Sequence, residues 1–243
     1  MKVLACALLS VSILAGCAAP GTDDTKVSGE AYRALLDNPV RTERDRGFDE
    51  RRHPVELLQF ADVRPGMQVL DMATGGGYTS QLLALAVGPS GRLWAQTPQP
   101  GAALNERMAA HLQANFIVAK QPFEDPVPPQ APPLDLVTLI LNYHDISYLP
   151  VDRDAMNRKI FAALKPGGHY VIVDHSALAG TGISAGKTLH RIEEAFVVAE
   201  VKRAGFVLDR EGSFMRNAAD TRDDSSAPPK ITDKFVLRFV KLR

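Results

Sequence analysis

From residue 67 onward, apolar segments of strand length alternate with segments of helical periodicity, and this alternation limits the possible folds more than any other feature. Alternating strands and helices are typical of a parallel sheet whose faces are covered by helices. The predicted strands in this part of the chain are 68–71, 92–96, 116–119, 134–141 and 170–174. A chain of 243 residues is long enough for one such domain with a substantial core.

The predicted helices between these strands end at recognisable stop signals. A helix over 81–87 is closed by Gly88 and Pro89, and a helix over 152–164 is followed by the sequence Lys-Pro-Gly-Gly. Glycine and proline are typical of positions just beyond a helix end. A third helix is expected over 187–203, where apolar residues recur with helical spacing.

The last part of the chain departs from this alternation. Segments 206–209 and 235–240 have strand character, but the polar segment 210–234 between them contains no predicted helix. Without a crossover helix the two strands should pair antiparallel, and a connection of this length is either disordered or a functional flap. The fold prediction is therefore α/β: a Rossmann-like, doubly wound, mostly parallel sheet of seven strands with a C-terminal antiparallel strand.

The N-terminus has the features of an export signal. Lys2 precedes an apolar run over 3–16, which is too short to span a bilayer as a mature helix. The run ends in Leu-Ala-Gly-Cys, and this ending resembles the lipobox of bacterial lipoproteins. The resemblance implies that 1–16 is a signal peptide and that Cys17 is lipidated and held at a membrane. Ala18 after the cysteine favours the outer membrane, so we expect a periplasmic, lipid-anchored protein.

The domain organisation follows from this interpretation. Residues 17–30 are small and polar and are predicted to form a flexible tether, with one domain over 31–243. Cys6 and Cys17 are the two cysteines of the chain, so the predicted mature domain contains no thiol for a disulfide or for catalysis. Basic and acidic residues balance at 28 each, and we therefore expect no nucleic-acid partner. The charged segment 41–53 is interpreted as a solvated helix face, with cover for a cofactor edge as the alternative.

A glycine-rich turn follows the first predicted strand. Asp71 ends the strand, and three consecutive glycines, Gly75, Gly76 and Gly77, precede the polar residues that open the next helix. Such a turn leaves backbone N–H groups free at the start of the helix, and glycine allows a ligand to approach them closely. The turn therefore favours a nucleotide-like ligand. The backbone conformation alone does not indicate which compound of this class binds.

The sequence around this turn resembles the first motif of class I S-adenosylmethionine-dependent methyltransferases. That motif is acid-x-G-x-G-x-G, and Ala73 stands here in the place of the first glycine. The resemblance extends over about residues 50 to 243 and includes the predicted fourth strand and the Lys-Pro-Gly-Gly segment. More narrowly, segments 142–145, 173–182 and 233–241 resemble an exported group of bacterial proteins that are classed as methyltransferases by prediction.

This resemblance implies that S-adenosylmethionine is the cofactor. The residues that it implies for cofactor binding are Asp71, Ala73, Gly75, Gly77, Tyr78, Gln96 and Asn142. Gln96 is a departure, because the superfamily usually has an acid there that accepts hydrogen bonds from both ribose hydroxyls. A neutral amide can accept one bond but lacks the stronger charge-assisted interaction.

Polar residues follow the fourth and fifth predicted strands, where ligands of open α/β sheets are bound. His144, Asp145 and His175 are the candidate catalytic residues, with His144 as the preferred base, because imidazole titrates near neutral pH. The alternative is that both histidines only bond the loop backbone. A metal site formed with Asp174 is a further alternative, but adjacent side chains point apart and we predict no metal. His190 is expected at the surface or the core edge.

Two functions fit these observations. The first is an enzyme that transfers a methyl group from S-adenosylmethionine to a small-molecule acceptor. The alternative is a non-catalytic nucleoside or small-molecule binding module of the cell envelope that retains the fold. The glycine-rich turn and the histidines favour the enzyme, whereas Gln96 and the export signal favour the binding module. Fold analogy does not decide between them.

Overall fold

A seven-stranded sheet forms the centre of the protein, in the order β3-β2-β1-β4-β5-β7-β6. The structure is a computed structural model, and it describes residues 26–110, 113–228 and 230–242. The strands are β1 Gln68–Met72, β2 Arg92–Gln96, β3 Phe116–Ala119, β4 Leu134–Ile140, β5 Leu164–His175, β6 Val207–Gly212 and β7 Lys234–Val240. β1 to β5 pair in parallel, and β7 runs antiparallel to both β5 and β6. This topology confirms the predicted fold class.

Helices cover both faces of the sheet. They are α1 Gly29–Leu35, α2 Glu43–Arg52, α3 Pro54–Ala61, α4 Tyr78–Val87, α5 Ala102–Ala110, α6 Tyr143–Ser147, α7 Arg153–Ala163, α8 Gly186–Leu189 and α9 Glu194–Arg203. Successive strand residues point to opposite faces, as the period of two requires. Val69 therefore packs with α1, α3 and α4, whereas Leu70 belongs to a second core that contains residues of α7 and α9.

The strand order places a ligand cleft at the middle of the sheet. From β1 the chain proceeds outward through β2 and β3 and then returns to the other side of β1 as β4. Where the strand order reverses, the connections on the two sides diverge and leave a crevice beyond the carboxyl ends of the strands. The glycine-rich turn after β1 and the polar segment after β4 lie at this crevice.

Two predicted helices differ from the observed elements. The helix predicted over 152–164 ends at Ala163, and β5 begins at once, so the Lys-Pro-Gly-Gly segment belongs to the strand. The helix predicted over 187–203 is divided into α8 and α9 at His190, whose φ is 52°. The division occurs because Arg191 is fully buried and binds Asp220, and because Ile192 forms a bridge with Ser176.

The polar segment 210–234 adopts a defined conformation along its described residues. β6 continues to Gly212, and the following loop is attached to the body of the protein by buried ion pairs. Arg191 Nη1 lies 2.8 Å from Asp220 Oδ2, and both side chains have no exposed surface. Asp233 accepts a hydrogen bond from the backbone N–H of Asn217 at 2.8 Å. These contacts contradict the disordered alternative of the sequence analysis for the described residues of this segment.

The predicted signal peptide and Cys17 lie outside the described residues. Within the predicted tether, α1 already begins at Gly29, and the Ser28 hydroxyl caps it by accepting from Ala31 N–H at 3.2 Å. In the described part of the chain, every helix is too short or too polar to cross a membrane.

Two glycines allow a test of the packing. A Cβ on Gly91 would lie 2.7 Å from the carbonyl oxygen of Met67 and 2.8 Å from that of Val87, and backbone atoms cannot easily move away. We expect Gly91→Ala to destabilise the protein by about 1–3 kcal/mol through this overlap. Urea denaturation of the purified variant measures the change.

The matched control is Gly47→Ala, because Gly47 lies inside α2 and a Cβ there would have no neighbour within 4 Å. Alanine is favoured over glycine in a helix, so this variant should gain about 0.5–1 kcal/mol. Equal unfolding midpoints for the two variants would show that the close approach at Gly91 is not real.

Candidate functional site

The turn after β1 has the backbone conformation that the glycine motif requires. We call residues 73–77 the glycine loop. Ala73, Gly75 and Gly77 have φ values of 51°, 55° and 83°, in the left-handed region that glycine tolerates best. Gly77 is also the N-cap of α4, and no side chain caps this helix. The first-turn amides of α4, which have no acceptor within the helix, are therefore available to a ligand.

A cavity of about 550 Å³ lies beside the glycine loop, and we call it the glycine-loop cavity. Its walls are the ends of β1 and β4, the glycine loop, and the helices α2 and α5. Five predicted cofactor residues line it: Asp71, Ala73, Gly75, Tyr78 and Asn142. Pockets that bind cofactors commonly have volumes of about 300–1,000 Å³. The void is therefore large enough for a nucleoside cofactor.

Asp71 is the buried acid of this cavity. Its Oδ1 accepts from the Thr138 hydroxyl at 2.6 Å, and its Oδ2 accepts from the Ser80 hydroxyl at 2.5 Å. Burial raises the pKa of Asp71 to about 6, although the two hydroxyl bonds and the nearby Arg52 favour the ionised form. Asp71 is thus largely ionised at neutral pH, with its charge poorly shielded by water.

Two predicted cofactor residues lie outside the cavity lining. Gln96 is fully buried, and its Oε1 accepts from Ala73 N–H at 3.0 Å while its Nε2 donates to the carbonyl of Gln121 at 2.7 Å. The amide thus supports the glycine loop from behind. A Cβ on Gly77 would lie 2.9 Å from Nε of Arg107, which places this glycine against α5 rather than the void.

The charged segment 41–53 covers the cavity through α2. Asp45 is 2% exposed and forms a two-bond ion pair with Arg107 of α5, at 2.6 and 2.9 Å. Arg107 also donates from Nε to the carbonyl oxygen of Gly76 at 2.8 Å. Asp49 accepts from the Tyr78 hydroxyl at 2.7 Å. One side of the segment therefore lines the cavity and is held by buried charges, while Glu43, Gly47 and Glu50 on the other side are exposed to solvent.

A second cavity of about 380 Å³ adjoins the first, and we call it the histidine cavity. The two cavities share Phe48, Arg52 and Leu141 in their linings. Leu141 has a φ of 59°, a strained conformation for a leucine that is typical of functional sites. The remaining lining residues are Arg51, His144, His175, His190, Ser226, Ala227, Pro228, Lys230, Thr232 and Lys234. The loop of 213–233 therefore supplies one wall.

The structure brings the predicted catalytic residues together at this cavity. His144 is 3% exposed, and its Nδ1 donates to Oδ1 of Asp174 at 2.6 Å. Its Nε2 lies 3.2 Å from Oδ1 of Asp145. Burial disfavours the imidazolium, but Asp174 and Asp145 outweigh burial and raise the pKa of His144 to about 10. His144 is therefore protonated at neutral pH.

His175 has the opposite electrostatic environment. Its Nδ1 lies 2.7 Å from the Thr232 hydroxyl, and its ring centroid is 5.8 Å from that of His144. Burial lowers the pKa of His175 to about 4, with Lys234 and His144 contributing in the same direction against Asp174. The ring is thus neutral at neutral pH.

Cations dominate the histidine cavity. Arg51, Arg52, Lys230 and Lys234 line it, and none of its described lining residues is a carboxylate. Lys234 is 7% exposed, and burial followed by the charge of Arg52 lowers its pKa. Arg52 stacks on Tyr78 at 4.8 Å from the ring centroid. This concentration of positive charge suits an anionic ligand.

The sequence did not indicate that Arg52, Lys234, His190 or the Asp45–Arg107 pair belong to the site. Thr42-x-x-Asp45 is a capping-box pattern, so the start of α2 had a visible signal. The other residues lie on separate segments, and no spacing along the chain indicates that they meet.

Comparisons with known proteins bear on the fold of the chain. No protein-family model matches the sequence. Over 65 residues the sequence is 31% identical to protein-L-isoaspartate O-methyltransferase of Methanothermobacter thermautotrophicus. This match covers 27% of the chain and 30% of that protein, so the matched segment spans less than a third of the curated relative.

Solved structures extend the comparison to the whole domain. The chain resembles an S-adenosylmethionine-dependent methyltransferase from Aquifex aeolicus, with a TM-score of 0.59 and 19% identity over 88% of this chain and 98% of that chain. The chain has the class I methyltransferase fold. It also resembles N-methyltransferase NodS from Bradyrhizobium japonicum, with a TM-score of 0.52 and 15% identity over 84% and 97% of the two chains. At these identities the likeness concerns the methyltransferase fold and leaves the acceptor open.

The Asp45–Arg107 pair gives a test of how the cover is held. Arg107→Met removes one partner of a buried pair and leaves the Asp45 carboxylate uncompensated. We expect a loss of about 3–5 kcal/mol in the free energy of unfolding. Lys159→Met is the matched control, because Lys159 and Asp125 are both more than half exposed and exposed pairs contribute about 0–1 kcal/mol. Similar denaturation curves for both variants would contradict this assignment.

Proposed function

We propose that the protein is a methyltransferase that uses S-adenosylmethionine and methylates a small anionic acceptor bound in the histidine cavity. The observation that carries this proposal is the junction of the two cavities at Phe48, Arg52 and Leu141. A cofactor at the glycine loop and an acceptor among the histidines would meet there. Holding two reactants in a fixed orientation is the main requirement of a displacement reaction.

The glycine-loop cavity fits the cofactor in size and charge. S-adenosylmethionine supplies an electrophilic methyl group when it is bound. Asp71 provides a buried negative charge for a cationic ligand, and the uncapped start of α4 provides N–H groups for an anionic group. Asn142 lies at the carboxyl end of β4, where it donates to the Ile140 carbonyl at 2.9 Å and is fixed for contact with the ligand.

The histidine cavity supports an acceptor that arrives as an anion. Arg51, Arg52 and Lys234 favour the ionised form of an acidic hydroxyl or carboxyl group, and an ionised oxygen needs no base before it attacks a methyl group. His144 is protonated at neutral pH and is suited to hold negative charge rather than to accept a proton. We therefore assign His144 to acceptor binding, with Asp145 beside its ring and the neutral His175 on the same wall.

The small-molecule acceptor rests on the cavity volume of about 380 Å³ and on the wall that residues 226–228, Lys230 and Thr232 supply. Solved proteins of this fold differ in acceptor: one likeness, with a TM-score of 0.53 and 18% identity, is to a Clostridium thermocellum protein described as an rRNA methylase. Charge balance argues against a polyanionic partner here, because the chain carries 28 basic and 28 acidic residues. The non-catalytic binding module is the alternative that the experiment below separates.

Calorimetric titration with S-adenosylmethionine tests the cofactor assignment. Because the folded pKa of Asp71 is about 6, the carboxylate is lost as the pH falls through this value. We expect the affinity for the cationic cofactor to fall by up to about tenfold per pH unit below that point. Asp71→Asn should bind weakly and without this pH dependence, whereas Asp125→Asn, an exposed control, should retain it.

The same titration distinguishes the two functions. Absence of heat from both S-adenosylmethionine and its demethylated product would remove the methyltransferase proposal. Binding of both, without formation of the demethylated product in the presence of small phenols and carboxylic acids, would favour the binding module.

We further propose that the chain is exported and held at the periplasmic face of a membrane through lipid on Cys17. Support comes from the apolar run and its Leu-Ala-Gly-Cys ending. Several acyl chains suffice for stable attachment, at about 0.8 kcal/mol per buried CH₂. Expression in a bacterium that processes lipoproteins should place the protein in the membrane fraction, and Cys17→Ala should release it. Equal membrane association of Cys17→Ala and the parent chain would contradict the anchor.

A further inference from the structure

Three potential metal ligands converge at the edge of the histidine cavity. His144 and Asp145 are neighbours on α6, and His190 follows α8, which packs beside it. Oδ1 of Asp145 lies 3.2 Å from Nε2 of His144 and 3.3 Å from Nδ1 of His190. One ligand atom from each of the three residues lies within 4.8 Å of the others.

The spacing fits a small ion with a tetrahedral coordination shell. Zinc binds imidazole nitrogen at about 2.0–2.1 Å and carboxylate oxygen at about 2.0–2.2 Å, so ligand atoms of a regular tetrahedron are about 3.3–3.5 Å apart. The two distances from Asp145 Oδ1 lie close to this range. A small rotation of the His190 ring would bring the third distance, between the His144 and His190 nitrogens, into this range. The ring can rotate because His190 follows a short helix and its side chain is 45% exposed.

The orientation of His144 is fixed from behind by a second carboxylate. Asp174 has no exposed surface, and its Oδ1 binds Nδ1 of His144 at 2.6 Å. Its position is fixed in turn by the backbone N–H groups of His144 and His175, each at 2.8 Å. Metal-binding histidines commonly donate their second nitrogen to a carboxylate in this way. Nε2 of His144 is thereby directed away from Asp174 and toward Asp145. A metal ion bound at Nε2 would take the place of the proton that this nitrogen carries when no ion is bound.

We propose that His144, Asp145 and His190 bind a divalent transition-metal ion of the Zn²⁺ type. Two imidazoles and one carboxylate favour zinc and similar ions over Mg²⁺ and Ca²⁺, which prefer oxygen ligands. Three protein ligands leave a fourth position open. His144 and His190 both line the histidine cavity, so this position faces the proposed acceptor.

The proposed metal ligands differ from the residues that the sequence analysis considered for a metal site. Asp174 supports His144 instead of binding the ion, and His175 Nδ1 is occupied by the Thr232 hydroxyl. His190 replaces both, and it reaches Asp145 because the chain turns sharply at its left-handed backbone conformation. From the sequence, the ligands considered were His144, Asp145, Asp174 and His175, and the site was disfavoured because the residues of each pair are adjacent, whereas the fold adds a ligand from 45 residues away.

A role in catalysis rests on the proposed function, whereas metal binding does not. At the open position the ion would bind an anionic oxygen of the acceptor and hold it near the junction with the glycine-loop cavity. The Tyr148 hydroxyl, which donates to Oδ1 of Asp145 at 2.9 Å, would help to orient the carboxylate.

The test is calorimetric titration of the full chain with Zn²⁺ after removal of metal by a chelator, without a histidine tag. Cys6→Ser and Cys17→Ser are introduced throughout, because these two thiols could bind zinc themselves. We expect one ion per chain. His190→Asn should weaken binding at least tenfold, and asparagine is tolerated in the left-handed conformation of this residue. Asp145→Asn should have a similar effect.

His53→Asn is the matched control, because His53 also ends a helix in a left-handed conformation, with φ 45°, and lies outside the three-residue cluster. It should leave the affinity unchanged. Asp174→Asn should weaken binding by about 10–100-fold. Circular dichroism of each variant verifies that it is folded.

Absence of zinc binding, or equal affinity in the parent chain and His190→Asn, would overturn the metal site. Displacement of Zn²⁺ by equimolar Mg²⁺ would overturn it as well. Retained zinc binding without any binding of S-adenosylmethionine would leave the metal site intact and remove only the proposed methyl transfer.

Discussion

Parallel pairing of β1, β4 and β5 is the constraint on which the site depends. Asp71 lies opposite Thr138 in the register of β1 and β4, and Ile140 lies opposite Val173 in that of β4 and β5. Parallel strands that share a register end at the same edge, so the polar residues that follow each strand are brought side by side. The glycine loop, Asn142 and the Asp174–His144 pair are neighbours for this reason.

Buried charges then determine what covers this edge. The Asp45–Arg107 pair attaches α2 and α5 across the glycine loop, and Arg191–Asp220 attaches the loop of 213–233 beside the histidines. Each pair is removed from water, so its strength depends on the presence of both partners. The walls of both cavities are therefore fixed by ion pairs between segments distant in sequence, while the apolar cores hold the sheet beneath them.

The two cavities differ in the charges that line them. Charges of both signs line the glycine-loop cavity, with Asp71 as its fully buried acid, whereas the described lining of the histidine cavity is cationic, with Arg52 at the boundary. The carboxylates nearest the histidines, Asp145 and Asp174, are turned toward the rings and favour positive charge there. A cationic methyl donor on one side and an anionic acceptor on the other match this arrangement.

The sequence by itself determined the α/β class, the mostly parallel sheet, the antiparallel C-terminal strand and the glycine loop, because these follow from local periodicity and turn chemistry. It also named Asp71, Asn142, His144 and His175 from their positions at strand ends. Only the tertiary structure decided that Gln96 supports the loop, that the charged segment 41–53 forms a cover, and that His190 joins His144 and Asp145. Those results depend on contacts between residues far apart in the chain, and such contacts leave no regular spacing in the sequence from which they could be derived.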